Sequence, residues 1–388
     1  MRTRSTTARK WLCTVTALAA ALTVSSAARP ASAGERSGQL RLNQTQFMAT
    51  HNSYHREVSH PEQGVQRQFD PGAATGNLEY SHASLPEQLA RQKARGIELD
   101  VFPDPQGGLY ADPLIRKRAG LPPMGGAEWK KPGFKVMHWA DFDYRTSCVA
   151  FRDCLRQVKR WSERQGGGHT TVPILLELKR TDPRLEEQGG AKSPPWDTAM
   201  LDALDREIRA VFGERGLVTP DDVRRRGKTL ERSVLDHGWP RLREARGRVM
   251  FLMDNDDQEI QDAYRAGGRE SLQGRVLFTD SRPGRPDAAF VKWNDPTGAN
   301  VGVIRDLVRR GYFVRTRSDV PVDQASSGDR GMLRDALRSG AQMVSTDYPS
   351  PGLAARHGSD YLAELPGGMT VRCNPVTARH CPVRVVER

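Results

Sequence analysis

The sequence predicts an α/β fold, a single (β/α)8 TIM-type barrel, from three observations. Eight short runs rich in Val, Ile, Leu, Phe and Met recur along the chain, helical periodicity fills several stretches between them, and no GxGxxG follows the first run. Strands alternating with helices imply a parallel sheet. Eight such units over this length suit one barrel better than two doubly wound domains.

The first segment lies outside that fold. Arg2, Arg4, Arg9 and Lys10 precede an apolar run, 11–24, too short to span a membrane as a helix, and Ala31, Ser32 and Ala33 close it with small residues. This reads as a signal peptide cleaved after Ala33, which leaves 34–388 as the barrel and implies an exported, extracellular protein. Cys13 precedes most of the apolar run and would leave with the peptide. The strands are expected at 46–50, 96–102, 135–139, 172–179, 248–254, 275–279, 312–316 and 342–346. Helical periodicity covers 85–94, 151–163, 198–212, 301–309 and 331–339. The Gly- and Pro-containing stretches 64–76, 120–133 and 188–195 read as long loops.

The remaining cysteines form two sequence-local pairs, Cys148 with Cys154 and Cys373 with Cys381, without CxxC spacing. Export permits disulfides, so two small-loop bridges are favoured over a metal site, the second pinning the C-terminal tail. The formal charge is +12, but five of the positive residues stand in the signal segment, which carries no acid, so the mature chain is at +7. Its arginines are scattered among acids rather than gathered with aromatics, which argues against nucleic-acid binding. A modest positive field still favours an anionic phosphate or lipid surface.

Polar residues stand where a barrel keeps its chemistry, at the C-terminal ends of the strands. His51 and Asn52 follow the first strand. Glu98 and Asp100, two apart in the second, point to one face. His138 ends the third strand, and Glu177 and Lys179 end the fourth. Taken singly, Glu98 and Asp100 fit ion pairs with nearby arginines and Lys179 fits a partner of Glu177. Their joint placement on successive strand ends favours a site. Buried carboxylates need pairing or coordination. Three of them with an amide oxygen make an all-oxygen shell for a hard cation, Ca2+ in preference to the geometrically stricter Mg2+. The two histidines are then free for proton transfer on either side of a phosphate. His55, His60, His82 and His169 are expected to be merely solvated. Asp254, Asn294 and Arg315 are further rim residues without an assigned role.

The strings ATHNSYH at 49–55, GIELDVF at 96–102, VMHW at 136–139 and ILLELK at 174–179 resemble, in order, the calcium-dependent phosphatidylinositol-specific phospholipase C family in its secreted bacterial branch. STDYP at 345–349 resembles the last barrel strand of the same superfamily. The resemblance implies that His51 and His138 are catalytic, His138 donating a proton to the diacylglycerol oxygen. It implies that Asn52, Glu98, Asp100 and Glu177 hold Ca2+ and that Lys179 contacts substrate. It further implies attack by the inositol 2-hydroxyl on phosphorus to give a cyclic phosphate, with a ligand carboxylate able to serve as base. The partner implied is a phospholipid or other phosphodiester, met at a membrane surface, with no obligate protein partner.

Two alternatives share parts of the pattern. A glycerophosphodiester phosphodiesterase uses the same barrel and Glu-x-Asp pair, but typically follows its first histidine with Arg-Gly, where this chain has Asn52 and Ser53. A noncatalytic phospholipid-binding barrel would be expected to lose a histidine, and both are present here.

Overall fold

Strands such as Val172–Leu178 and Val249–Met253 are apolar in nearly continuous runs, the pattern of strands covered on both faces. In a computed structural model of the protein, which describes residues 40–69 and 78–378 together with Met1, Cys381 and Glu387, every residue of Thr45–Thr50 (β1) and Ile97–Phe102 (β2) is buried. Beyond Met1, the expected signal peptide lies outside the described residues. The other strands are Lys135–Val136 (β3), Val172–Leu178 (β4), Leu217–Val218 (β5), Val249–Met253 (β6), Leu277–Thr279 (β7), Phe290–Lys292 (β8), Phe313–Arg317 (β9), Met343–Thr346 (β10) and Val371–Cys373 (β11).

They make a mixed α/β fold of two sheets. One has the order β11-β1-β10-β9-β8; the other runs β3-β2-β4-β6-β5, with β7 paired to β6 as well. All pairings are parallel except β2 with β3 and β1 with β11. The sheets meet along two seams. At one, Arg95 N donates to Met48 O (2.8 Å), Thr50 N to Gly96 O (3.2 Å) and Ser53 N to Glu98 O (3.0 Å); at the other, Ser281 N donates to Phe290 O (3.3 Å). One buried cluster draws Phe47, Phe290 and Phe313 from the first sheet and Ile174, Phe251 and Phe278 from the second. Trp239 packs on Phe278 and Phe313, with ring centroids 5.1 and 5.8 Å away, and its indole N–H donates to Gly311 O. Amphipathic helices cover the outer faces, among them Phe151–Arg164, which buries Phe151, Leu155, Val158 and Trp161, and Thr198–Phe212, whose first turn Asp197 caps at Met200 N (2.8 Å).

Seven of the eight expected strands lie in parallel pairings; the third does not. Its segment is extended only over Lys135–Val136, antiparallel to β2, and then turns back: Trp139 and Asp143 exchange backbone hydrogen bonds, with Asp141 at φ +70°. The parallel strands the sequence reading missed are β5 and β8, two and three residues long and too short to show a period. The expected loop at 64–76 begins inside a helix, His60–Phe69, where Ser59 and Glu62 bond across the first turn (2.9 Å) and Val65 and Gln66 are buried. The helices expected at 198–212 and 331–339 match the observed Thr198–Phe212 and Gly331–Ser339. Both local disulfides are present, with Cα atoms 5.6 Å apart for Cys148–Cys154 and 6.2 Å for Cys373–Cys381.

Gly247, two residues before β6, sits at φ +70° with the place of a Cβ 2.8 Å from Gly167 Cα and 3.0 Å from Gly167 O. The obstruction is backbone on both sides, and it lies at the strand's N-terminal end, away from the carboxyl ends that carry function. Gly247→Ala is therefore expected to cost about 1–3 kcal/mol of stability, seen as a lowered midpoint in thermal or urea unfolding, with kcat unchanged. An unchanged midpoint would show that the Gly167 turn yields freely.

Candidate active site

Two neighbouring parallel strands bring the acids together. In the register of β2 and β4, Asp100 stands opposite Glu177, and Glu98 is one side-chain repeat back on the same face. Glu98, Asp100 and Glu177 each present a carboxylate oxygen within 4.8 Å of the others. Glu98 and Asp100 are buried, whereas the Glu177 side chain is 34% exposed. Two cations answer them. Arg315 on β9 donates from Nη2 to Glu98 Oε2 (2.6 Å), and is itself held by Ser345 Oγ (3.0 Å) and by Asn294 Oδ1. Lys179 places Nζ 3.0 Å from Glu177 Oε1 and 3.3 Å from Asp100 Oδ2. Desolvation pushes the Glu98 carboxyl up to about 7 against the pull of Arg315, with Asp254 and Glu177 adding to the rise. Burial drives Asp100 well above the usual carboxylate range, opposed by Lys179. Burial alone would lower the Lys179 ammonium; Asp100 and Glu177 raise it instead. Asn52 is buried at φ +41°, a left-handed conformation that Asn adopts more readily than most residues. Its amide oxygen accepts from Tyr54 and its amide nitrogen donates to Tyr80, both at 3.3 Å.

Each of the two expected histidines is gripped at Nδ1 by a buried carboxylate. His51 follows β1 and stands 3.0 and 3.2 Å from the oxygens of Asp347; its Nε2 is 3.8 Å from Glu98 Oε1. Arg317 Nη2 lies 3.5 Å from the same Nδ1 and 3.6 Å from Asp347 Oδ2. Burial and then Arg317 bring the His51 imidazole down to about 3, against the raising effect of Asp347. His138 stands two residues beyond β3, with Nδ1 2.7 Å from Asp143 Oδ2. Burial would raise Asp143, but His55 and His138 outweigh it and hold that carboxyl well below its usual range. Asp347 is likewise held down, chiefly by His51.

The acids, both histidines, Asn52 and Lys179 thus lie at strand ends on one rim, joined by Arg315 and Asn294. Asp254 instead pairs with Lys292 (2.8 Å). Three of the four histidines expected to be solvated are buried. His55 bonds Asp143 and Tyr80 O, His82 donates or accepts at His51 O (2.8 Å), and His169 lies between Ser162 Oγ and Thr170 O. Their loop positions did not mean exposure, because each ring is covered and bonded by neighbouring chain; of the four, His60 alone is exposed, at the start of a helix. The sequence reading also passed over Asp143, Arg317 and Asp347. Asp347 was within reach, since it directly follows β10 as His51 follows β1.

The sequence model of the family described as phosphoinositide phospholipase C, Ca2+-dependent, matches residues 40–375. The chain belongs to that family. This phospholipase C is also similar in structure to a calcium-dependent phosphoinositol-specific phospholipase C from Pseudomonas sp. in its apo form (15% identity, TM-score 0.53, covering 87% of this chain and 96% of that one). It is similar to the same bacterial protein in a myoinositol complex (14% identity, TM-score 0.53, 89% and 100% covered). No curated protein matches it in sequence.

The phospholipase C is Ca2+-dependent by family, and its rim fits that ion. The acid trio offers only oxygen donors, and the buried carboxylate of Asp100 accepts no hydrogen bond and meets the ammonium of Lys179, as an ion pair at 3.3 Å, which suits a ligand for a cation. Removing Arg315 should expose how far the site relies on fixed charge. Arg315→Met leaves Glu98 without its buried partner and is expected to cost about 3–5 kcal/mol in urea unfolding under chelator. A loss below about 1 kcal/mol would mean that Glu98 is neutral in the metal-free protein.

Proposed function

We propose that the chain cleaves phosphatidylinositol to diacylglycerol and an inositol phosphate, with His51 and His138 as its proton-transfer groups. The two imidazoles, each fixed at Nδ1 by a buried aspartate on the rim that carries the acid trio, are the observation that supports this reading. His51 is neutral at physiological pH given its depressed pKa. With Nδ1 turned to Asp347, its Nε2 is left as an acceptor for the proton of the inositol 2-hydroxyl. His138, with Nδ1 turned to Asp143, has Nε2 left to deliver a proton to the departing diacylglycerol oxygen. Asn52, Glu98, Asp100 and Glu177 would hold Ca2+, which when bound supplies Lewis-acid stabilisation of charge on the phosphate and on the attacking oxygen. Lys179, charged and partly open to solvent, contacts the phosphate. The first product is the inositol cyclic 1,2-phosphate, and its hydrolysis by water can use the same groups in reverse.

The wider frame of this reading is a single barrel over 34–388, closed at the two seams between the sheets. Its eight parallel staves are β1, β2, β4, β6, β7, β8, β9 and β10, with the short β5 and the antiparallel β3 and β11 as additions. Export after Ala33 agrees with the two disulfides, and action at an anionic membrane surface agrees with the positive charge of the mature chain.

The test is phosphorus NMR of the mature protein on phosphatidylinositol vesicles and, in parallel, on glycerophosphoinositol, each with Ca2+ and with excess chelator. Calcium-dependent formation of the cyclic phosphate from the lipid, abolished in His51→Ala, is the expected result. Turnover of the deacylated diester alone would replace this reading with the glycerophosphodiesterase, and no turnover of either would leave a binding barrel. Asp347→Asn should leave the fold intact and lower kcat on the lipid by on the order of 100-fold, by misplacing His51; a loss under about threefold would remove Asp347 from the machinery.

A further inference from the structure

His55 has no part in the reading above, yet it is fully buried and joined to the centre of it. Its Nε2 lies 2.8 Å from Asp143 Oδ2, the same oxygen that His138 Nδ1 meets at 2.7 Å, and its Nδ1 lies 2.9 Å from Tyr80 O. A carbonyl on one nitrogen and a carboxylate on the other leave the ring only acceptors to face, so both nitrogens donate. The ring is stacked on Tyr80, with centroids 4.3 Å apart and planes at 22°, and stands edge-on to His138 at 6.0 Å. The other oxygen of Asp143 is buried and has no hydrogen-bond partner. Asp143 is thus placed by two imidazoles and by nothing else its side chain bonds among the described residues. Without His55, one carboxylate on a short turn would have to orient His138 alone.

We infer that His55 is a positioning residue for the proton-donating step: it anchors Asp143 from behind, through Tyr80 O, and Asp143 in turn holds the His138 ring with Nε2 turned to the leaving oxygen. This rests on the reading of His138 as the proton donor. The chain of contacts runs Tyr80 O, His55, Asp143, His138, and every link is a hydrogen bond within 2.9 Å. Tyr80 also accepts from the Asn52 amide through its hydroxyl, so the anchor and the metal-facing side of the rim share one wall.

A proton donor matters in proportion to how poor the leaving group is, and that dependence separates positioning of His138 from general damage. The wild type, His138→Ala, His55→Phe and His55→Gln would be assayed in Ca2+ on phosphatidylinositol and on inositol phosphate esterified to 4-nitrophenol, a leaving group that needs no proton. His55→Phe keeps a ring and removes both donors; His55→Gln keeps one donor. His55→Phe is expected to lose on the order of 10- to 100-fold in kcat on the lipid and under about threefold on the nitrophenyl ester, with His55→Gln in between on the lipid. Equal losses of His55→Phe on both substrates, or none on either, would overturn the inference. If the phenylalanine variant does not fold, His55→Gln decides by the same ratio: a loss confined to the lipid supports the inference and a uniform loss or none overturns it. Should His138→Ala itself lose equally on both substrates, the assignment of His138 as donor fails instead, which distinguishes the two claims.

Discussion

The structure depends on holding three carboxylates close together in a place that water barely reaches. Desolvation is the larger cost and repulsion between like charges at that spacing adds to it, which is why Glu98 and Asp100 are driven toward their neutral forms. Arg315 and Lys179 offset only part of this. Arg315 comes from the other sheet, and its position is fixed by Ser345 on β10 and by Asn294 after β8. The charge balance of β2 and β4 is therefore met by Lys179, just beyond β4, and by Arg315 from the opposite sheet. A single opposite charge short, the cluster is left with what a divalent cation supplies.

The seam between β1 and β2 performs the matching task for the His-Asn pair. Ser53 ties the two strands twice, donating its backbone N–H to Glu98 O and accepting Glu98 N at Oγ (2.8 Å), while Thr50 Oγ1 lies 2.6 Å from Ser53 Oγ and donates to Gln88. Those bonds fix the chain on either side of His51 and Asn52. The positive φ of Asn52 then turns the chain so that the histidine and the amide both leave the strand end at the level of Glu98. The run of Thr50, His51, Asn52 and Ser53 is thus one device, in which two residues meet the chemistry and two hold them there.

What the sequence showed and what it hid divide along physical lines. Glu98, Asp100 and Glu177 were legible because a charge in a buried strand is conspicuous, and the period of two told which face they share. Most strands were legible because they are rich in Val, Ile, Leu, Phe and Met. β5 and β8 were not, because two or three residues carry no period. β3 misled because a short extended run shows neither its length nor its antiparallel direction, and the chain turns back at Asp141 directly after it. His55 and His82 were misjudged because burial of a polar residue is a property of what folds over it. Tyr80, on a segment that follows residues remote in sequence, covers one and meets the edge of the other.

The two halves of the site repeat one plan with one difference. Each of the two rim histidines shares its aspartate with a second, buried histidine: His82 lies 3.6 Å from Asp347 as His55 lies 2.8 Å from Asp143. Only Asp347 also faces a guanidinium, that of Arg317, among the described residues. A permanent cation beside the carboxylate weakens its hold on a second positive charge, and the same guanidinium acts directly on His51. Burial first, and then this guanidinium, hold the His51 imidazole low against the raising effect of Asp347, as the base role proposed for it requires. Asp143 instead has two imidazoles as its partners, and because His55 donates from both nitrogens it is itself a positive group on the oxygen that His138 shares. The two His–Asp pairs are thus alike in plan, and among the described residues the guanidinium of Arg317, at the end of β9, is what sets the pair at Asp347 apart.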